Sequence, residues 1–315
     1  MLNYSKGKPL ARILYQRLDK VLKYDNGEDE VDVESEDSIR RFGKKKPMLS
    51  FMERVVKLSK EDLRAALETD PSLKTRLLKE IENNNVPNNF TIITSANPNT
   101  DGWKQKVHIP GSRFIPTVDS KDFREIIYIY GASGSGKSAL CRSYIDEYKA
   151  EFPANKVYLF SLKDNDQTLE DKDLVRIPNQ LDVLKEIDIE TLRDSLVIFD
   201  DTEGYDKAIT NELKEIYRIQ DNIAQIARDR RIFCIVTTHL ACRGSKTRVI
   251  LNESNKFISF PGRVPFRSFK YLMEQYGGLS AGEINKVWKI PSRWVCVNKE
   301  NPRCIIYEEG CYTLS

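Results

Sequence analysis

A glycine-rich stretch directly after an apolar run constrains this chain more than any other feature. Residues 126–130 are β-branched or aromatic, and this short run predicts a buried strand. The run ends at Gly131, where the sequence Gly-Ala-Ser-Gly-Ser-Gly-Lys-Ser begins. Apolar residues then recur at helical spacing, at Leu140, Cys141, Tyr144, Ile145 and Tyr148. The sequence therefore predicts a strand, a glycine-rich loop and a helix in direct succession.

The spacing of this loop fits the binding of phosphate groups. Residues with small side chains let successive backbone N–H groups turn towards an anion, and the helix that follows presents the positive end of its dipole. Lys137 would reach the β- and γ-phosphates of a nucleotide, and the Ser138 hydroxyl would ligate Mg²⁺. The alternative is a flexible Gly/Ser loop without a ligand. The residues predicted to bind the nucleotide are Gly131, Ala132, Ser133, Gly134, Ser135, Gly136, Lys137 and Ser138.

Composition bounds the class of protein without naming its partner. The 315 residues are 40% hydrophobic, which is enough for a buried core in one large domain or two modest ones. Lysine and arginine number 50 against 47 acidic residues, so the net charge of +3 does not by itself indicate nucleic acid. Six cysteines without a CxxC pair, beside only two histidines, argue against a structural zinc site and indicate reduced thiols. With no signal sequence and no apolar run near the ~18 residues of a membrane span, we expect an intracellular protein that does not enter a membrane.

The first hundred residues differ in character from the rest. Apolar residues at helical spacing predict an amphipathic helix within residues 1–24, with Leu10, Ile13, Leu14, Leu18 and Leu22 on its buried side. An acidic run and then a basic run over 25–47 predict a solvated linker, and capping signals at Ser59 and Asp70 predict a helical hairpin that ends near residue 83. A short strand is predicted at Phe90–Thr94. We expect an N-terminal helical and charged region over 1–100, without an assigned function, and a main domain over 101–315.

Three further apolar runs predict strands in the main domain, at 156–161, 195–199 and 231–238. Helical patterns separate these strands, and the longest carries apolar residues from Ile209 to Ile226. Strands that alternate with helices predict an α/β fold with a mainly parallel sheet flanked by helices. Later elements are a strand at 256–260, helices at 265–276 and after Ser280, and two closing strands at 294–297 and 304–307.

Polar residues follow two of these strands where each strand ends. Asp200 and Asp201 directly follow an apolar run, and His239 follows the polar pair Thr237 and Thr238. Because ligands of parallel sheets bind at the carboxyl ends of the strands, Asp200 would hold Mg²⁺ and Asp201 would polarise an attacking water. His239 would lie beside the γ-phosphate. The alternatives are that the acids cap the next helix and that the histidine is a core or surface residue.

Arg228 precedes the strand at 231–238 and has two possible uses. A basic residue there is commonly a solvated helix C-cap. It could instead act as an arginine finger in the site of a neighbouring subunit, which requires a ring. Arg243, Lys246 and Arg248, in the predicted loop after His239, are either a DNA-contacting patch or a solvated basic loop.

Together, these segments resemble the FtsK/HerA superfamily of DNA-pumping ATPases. The similar segments are Gly131–Ser138, Leu196–Asp201, Arg228 with Ile232–His239, Arg248–Asn252 and Phe257–Phe260, within about residues 120–310. The chain is most similar to the poxvirus-type virion DNA-packaging ATPases of large double-stranded DNA viruses. His239 departs from that family, which normally has Gln at the tip of this strand.

The resemblance implies a P-loop NTPase of the RecA/FtsK type with ATP and Mg²⁺ as its cofactors. It further implies a homo-oligomeric ring, a hexamer in its expected form, that pulls double-stranded DNA through its pore, with Arg228 in the position of the trans-acting arginine. Capsid or portal proteins would be further partners, in the host cytoplasm, a viral factory or the virion.

Two other functions remain open from the sequence. A small-molecule P-loop kinase would need an arginine-bearing lid and an acceptor pocket, and neither is recognisable. A nucleotide-binding scaffold for virion assembly would turn over little ATP. DNA-stimulated ATP hydrolysis separates the three hypotheses, because a kinase responds to its acceptor and a scaffold to neither.

Overall fold

A ten-stranded sheet organises the computed structural model, which describes residues 2–3, 8–14, 89–94, 106–108, 113–118, 125–162, 168–169, 172–202, 210–300 and 303–314. The strands are β4 (Lys106–His108), β6 (Ile126–Tyr130), β7 (Lys156–Ser161), β8 (Val175–Arg176), β9 (Ser195–Asp200), β10 (Ile232–Thr238), β11 (Lys256–Ser259), β12 (Val295–Asn298), β13 (Cys304–Tyr307) and β14 (Gly310–Thr313). Their order in the sheet is β4-β14-β13-β12-β11-β6-β10-β9-β7-β8. The six strands from β11 to β8 are parallel, and antiparallel pairing extends the sheet from β12 to β4. The prediction of a mainly parallel sheet flanked by helices is confirmed.

Among the described residues, six α-helices connect or follow these strands. They are α1 (Lys137–Glu151), α2 (Leu181–Glu186), α3 (Thr210–Arg230), α4 (Ser245–Glu253), α5 (Phe266–Gln275) and α6 (Ala281–Trp288). Short 3₁₀ turns lie at Ile189–Leu192 and Pro261–Arg263. The predicted capping box is present at the start of α6, where Ser280 and Glu283 satisfy each other's backbone N–H groups.

The central strand β6 places its side chains alternately in two cores, one on each face of the sheet. Ile126, Tyr128 and Tyr130 pack into a core that also contains apolar residues of α3, α4, α5 and α6. Ile127 and Ile129 face the other core, which contains the buried side of α1. This alternation follows from the two-residue period of a strand, and it buries β6 on both faces. The strand that leads into the loop of residues 131–138 is therefore held from both sides.

A second, four-stranded antiparallel sheet contains β1 (Leu2–Asn3), β2 (Lys8–Leu14), β3 (Asn89–Thr94) and β5 (Arg113–Pro116), in the order β1-β3-β2-β5. Leu10 and Ala11 of β2 pack in the same core as α1, and Arg12 forms an ion pair with Glu147 of α1 at 2.7 Å. Burial raises the pKa of Glu147, and the charge of Arg12 opposes that shift. This sheet therefore packs beside α1 and shares a core with it.

The predicted N-terminal helix is wrong over Lys8–Leu14, which forms the strand β2. β2 pairs with β3 on one side and with β5 on the other, so long-range backbone pairing outweighs the helical spacing of its apolar residues. Pro9, which has no N–H to donate, lies where the register between β2 and β3 shifts. The strand at Phe90–Thr94 is confirmed. The predicted linker over 25–47 and the helical hairpin from Ser59 to residue 83 lie outside the described residues.

Several elements of the main domain were not predicted: the strands β4, β5, β8 and β14 and the helix α4. Residues 245–253 form α4, so Lys246 and Arg248 lie on a helix and not in a loop as expected. The closing strand β14 completes a hairpin with β13, and β14 pairs with β4 on its other side. Within the described part of the chain, no helix combines the length and the apolar character that crossing a bilayer requires.

Candidate nucleotide site

The loop of residues 131–138 begins where β6 ends, and backbone contacts hold it. Gly131 N–H donates to the carbonyl oxygen of Thr238 at 3.0 Å, which ties the loop to the end of β10. A Cβ on Gly131 would lie 2.5 Å from Ser135 Oγ and 2.6 Å from Phe260, so no larger residue fits there. Gly136 has φ +112° at the start of α1, a conformation that favours glycine. The helix therefore begins directly at the loop, with its first N–H groups towards it.

Lys137 lies buried at the centre of the site and contacts groups from three segments. Its Nζ donates to the carbonyl oxygen of Gly131 at 3.0 Å and lies 3.5 Å from that of Ala132. It also lies 3.3 Å from His239 Nδ1 and 3.5 Å from Asp201 Oδ1. The phosphate loop, the acid pair and the end of β10 thus meet around one ammonium group.

The two acids after β9 face different surroundings. Asp200 is 1% exposed, and its Oδ1 accepts a hydrogen bond from Thr237 Oγ1 at 2.8 Å. Asp201 has φ +47°, a left-handed conformation that is uncommon for a residue with a side chain and in which Asp is enriched. That turn directs its carboxylate to Lys137 and to His239, whose Nε2 lies 3.1 Å from Asp201 Oδ2.

The contacts of His239 fix its tautomer. An ammonium group only donates hydrogen bonds, so Nδ1 must accept from Lys137. Nε2 then carries the proton and donates it to Asp201. The turn that carries the ring is fixed in its own right, because Thr238 Oγ1 bonds both the N–H and the carbonyl oxygen of Leu240, at 3.1 and 3.0 Å. His239 therefore orients the carboxylate of Asp201.

Thr237 belongs to the polar strand end that the sequence places beside the γ-phosphate, but the sequence did not indicate a role of its own for it. Its hydroxyl accepts from Asp201 N–H at 3.0 Å and donates to Asp200, so it joins the acid pair to the neighbouring strand. Because β9 and β10 are parallel neighbours in register, Thr237 comes opposite the end of β9. The available signal was the switch from apolar to hydroxyl residues at the end of β10.

The side chains of Ser138 and Asp200 have the chemistry that the predicted magnesium site requires. A hydroxyl and a carboxylate are oxygen ligands, and Mg²⁺ binds through few protein oxygens together with phosphate and water. Asp200 is held by Thr237 in an orientation fixed before any ligand binds. Ser138 lies in the first turn of α1, next to Lys137.

Arg228 is not near this site within its own chain. It lies in the last turn of α3, before β10 begins, whereas Asp200 and His239 lie at the opposite, carboxyl ends of β9 and β10. Seven residues of strand, at about 3.3 Å each, separate the two edges by roughly 20 Å. Arg228 could reach a nucleotide only in another subunit.

The neighbouring arginines differ from Arg228 in their contacts. Arg230 pairs with Glu190, and Arg231 pairs with Asp194 at 2.5 Å. Arg228 is exposed, and within the residues that the structure describes its side chain has no ion pair or hydrogen bond. Of the three, Arg228 has the guanidinium that remains available to a partner.

Part of the predicted basic patch is held by Tyr217 of α3. Arg243 donates to the Tyr217 hydroxyl at 3.1 Å, and the ammonium of Lys246 lies 5.8 Å from the centre of the same ring. Lys246 and Arg248 are exposed on α4. The patch directly follows β10, so it lies next to the edge of the sheet where the candidate nucleotide site is.

No protein-family model matches the chain. A curated relative, "Uncharacterized protein V3" of Sputnik virophage, is 37% identical over 223 residues, which are 70% of this chain and 89% of V3. The alignment with V3 thus covers more than two thirds of each chain.

Solved structures resemble the chain at lower identity. The genome packaging NTPase B204 of Sulfolobus turreted icosahedral virus 2, in complex with AMPPCP, is 16% identical with a TM-score of 0.41, over 59% of this chain and 98% of B204. The cytoplasmic domain of the Type VII secretion ATPase EccC of Thermomonospora curvata is 11% identical with a TM-score of 0.42, over 65% and 28% of the two chains. The pCW3 conjugation coupling protein TcpA, with ATPγS, is 14% identical with a TM-score of 0.43, over 71% and 73%. At these identities and TM-scores the likenesses carry no conclusion about a substrate or partner.

The similarity to V3 shows which family the chain belongs to. V3 shares more than a third of the aligned residues, and the structure has the expected glycine-rich loop between β6 and α1. The chain therefore belongs to the family of the virophage protein V3.

Proposed function

We propose that the chain binds ATP with Mg²⁺ at this site, hydrolyses it, and uses the energy to move double-stranded DNA during the packaging of a viral genome. The observation that carries the proposal is the 3.5 Å separation between Lys137 Nζ and Asp201 Oδ1. It joins a loop suited to phosphates with an acid suited to activating water, and hydrolysis needs both in one place.

The contacts of Lys137 indicate how the site would respond to ATP. Two backbone carbonyls, His239 and Asp201 share its ammonium group, and none of these contacts is shorter than 3.0 Å. Phosphate oxygens compete well for such a group, because charge-assisted hydrogen bonds to phosphate are short and strong. When Lys137 turns to the phosphates, Asp201 gives up its cation and keeps its bond from His239.

Asp201 would then be the group that polarises the attacking water. Its left-handed backbone and the Nε2–H of His239 hold its carboxylate in the site, and its oxygen released from Lys137 can accept a proton of water. Mg²⁺, bound through Ser138, Asp200 and the phosphates, would supply charge stabilisation for the transferred phosphoryl group.

Arg228 would complete the site of a neighbouring subunit. A phosphoryl transition state gains from an added guanidinium, and Arg228 lies on the edge of the sheet away from its own site. This arrangement requires a homo-oligomeric ring, and a hexamer is the form that we propose. Arg243, Lys246 and Arg248 would contact DNA phosphates without regard to base sequence. Capsid or portal proteins would receive the DNA, in the host cytoplasm or a viral factory.

ATP turnover with and without duplex DNA, measured together with the mass of the assembly in solution, tests the proposal. We expect an oligomer whose turnover rises several-fold with DNA and falls again as salt rises, because contacts to phosphates are screened. Turnover that depends on a small-molecule acceptor would indicate a kinase, and a nucleotide-bound oligomer without turnover would indicate a scaffold. Either result contradicts the proposal.

Mixing wild-type chain with Arg228→Ala in the same assay tests the ring. If Arg228 acts between subunits, each variant chain disables a neighbour's site, and activity falls faster than the wild-type fraction. Arg193→Ala, which removes an exposed arginine from the same edge of the sheet as Arg228, serves as the matched control and should leave activity unchanged at every mixing ratio. Proportional loss with Arg228→Ala would leave that residue as a helix cap.

A further inference from the structure

Arg293 brings a second basic side chain to the phosphate loop from a distant part of the chain. It lies in the turn between α6 and β12, 158 residues beyond its partner Ser135. Its Nε donates to the carbonyl oxygen of Ser135 at 3.0 Å. A Cβ on Gly136 would lie 3.2 Å from Arg293 Nη2, so the guanidinium packs directly against the Ser135–Gly136 peptide.

This contact orients one N–H group of the loop. In a trans peptide the carbonyl oxygen and the following N–H point in opposite directions. Since Arg293 holds the carbonyl of Ser135, the N–H of Gly136 points away from Arg293. Among the described residues this N–H donates no hydrogen bond. An amide held in a fixed direction and left without an acceptor is the kind of group that binds a phosphate oxygen.

The turn that carries Arg293 is itself fixed by the hairpin of β13 and β14. Glu308 Oε2 accepts from Arg293 N–H at 2.7 Å, and Glu308 N–H donates to Ser292 Oγ at 3.1 Å. Ser292 Oγ also donates to the carbonyl oxygen of Trp294 at 2.7 Å. The backbone of Arg293 is thus placed before any ligand arrives, although its side chain is largely exposed.

We propose that Arg293 is a nucleotide-positioning residue, which fixes the Gly136 N–H for a phosphate of ADP or ATP and adds positive charge beside that phosphate. Its Nε bonds the loop, and within the described residues its two Nη groups make no hydrogen bond, so they remain for a phosphate oxygen. This inference rests on the proposed function, because it concerns binding at the same site. It also makes the C-terminal hairpin part of that site, through Glu308.

Isothermal titration of ADP in the presence of a chelator tests the inference without Mg²⁺ and without turnover. We expect Arg293→Ala and Arg293→Gln to bind ADP about 10-fold more weakly than the wild type, the loss that one partly exposed charge-assisted contact produces. Arg293→Lys keeps a positive charge and one donor, and its affinity should lie between those of Arg293→Ala and the wild type.

Arg303→Ala is the matched control. Arg303 donates to the carbonyl oxygens of Gly277 and Gly278 at 3.1 and 2.7 Å, so its loss removes the same chemistry from the same region, away from the loop. It should bind ADP within about two-fold of the wild type. Thermal midpoints of both alanine variants without nucleotide show whether either change only loosens the fold.

Two outcomes overturn the role of Arg293 alone: ADP binding within two-fold of wild type in Arg293→Ala, or an equal loss in Arg303→Ala. Wild-type chain that binds neither ADP nor ATP overturns the proposed function, and the role of Arg293 with it. The wild-type titration therefore separates the two failures.

Discussion

Two buried lysine–carboxylate pairs lie near opposite ends of the central strand β6, and they differ in how their contacts are made. At the carboxyl end Lys137 faces Asp201 at 3.5 Å. At the amino end Lys256 forms a close ion pair with Glu125. The side chains are equally buried, at 6% and 8% exposed in the first pair and 5% and 10% in the second. Burial alone therefore does not separate a functional pair from a structural one.

Both members of the amino-end pair make further hydrogen bonds within the chain. Glu125 also accepts from the Tyr144 hydroxyl, and Lys256 donates to the carbonyl oxygen of Thr117 at 3.1 Å. Burial lowers the pKa of Lys256, but the charge of Glu125, together with smaller effects of Cys296, of the hydrogen bond to Glu125 and of Glu300, outweighs burial and raises the pKa above its ordinary value. Lys137, in contrast, spreads its contacts over four groups at 3.0 to 3.5 Å. Lys137, whose contacts are long and divided, can exchange them for contacts with a ligand. Lys256, whose partners are close, stabilises the fold.

Breaking the amino-end pair should have the largest effect, and on stability. Lys256→Met leaves Glu125 buried without its cation, and we expect a loss of about 3–5 kcal/mol in the free energy of unfolding. Denaturant titration measures it. The double change Glu125→Leu with Lys256→Met should recover most of the loss, and Lys172→Met, which removes an exposed pair with Asp146, should cost no more than about 1 kcal/mol. A loss below 1 kcal/mol in Lys256→Met would contradict the comparison.

Removing the acid at the other end should affect turnover and not binding. For Asp201→Asn we expect ATP hydrolysis about 1,000-fold slower, since the amide cannot act as a base, with ATP affinity within a few-fold of wild type. Single-turnover kinetics and equilibrium binding measure the two effects separately. Full hydrolysis in this variant would remove Asp201 from the catalytic role.

Removing the lysine at the carboxyl end should weaken nucleotide binding by about 100-fold, the value of a strong charge-assisted contact. Lys137→Ala should leave the free energy of unfolding near that of the wild type, because the contacts that it loses are long and divided. Titration of ADP gives the affinity, and denaturant titration gives the stability. If Lys137→Ala destabilised the fold as much as Lys256→Met, the distinction between the two pairs would fail.

Local patterns predicted the parts of the site that lie within single segments of the chain. The loop of 131–138, the acids after β9 and the histidine after β10 each follow an apolar run, and parallel strands end at one edge. These three segments come together around Lys137 because the fold class brings the carboxyl ends of the strands to one edge. The catalytic and binding roles of their residues stay predictions.

Contacts between distant segments could not be predicted in the same way. The bond from Arg293 to Ser135 joins residues 158 positions apart, and no pattern near either residue indicates it. The strand β2 has the apolar spacing of a helix, and only its pairing with β3 and β5 makes it a strand. Tertiary pairing outweighed local spacing in β2, which is the usual reason such predictions are wrong.

The position of β10 between β6 and β9 has a consequence for a ring of subunits. One end of β10 carries His239, next to the subunit's own nucleotide, and the other end follows Arg228, which we propose enters the adjacent subunit. Ladder hydrogen bonds on both sides make this strand stiff. The proposed contact with the terminal phosphate and the proposed contact with the next subunit would therefore depend on the two ends of one rigid strand.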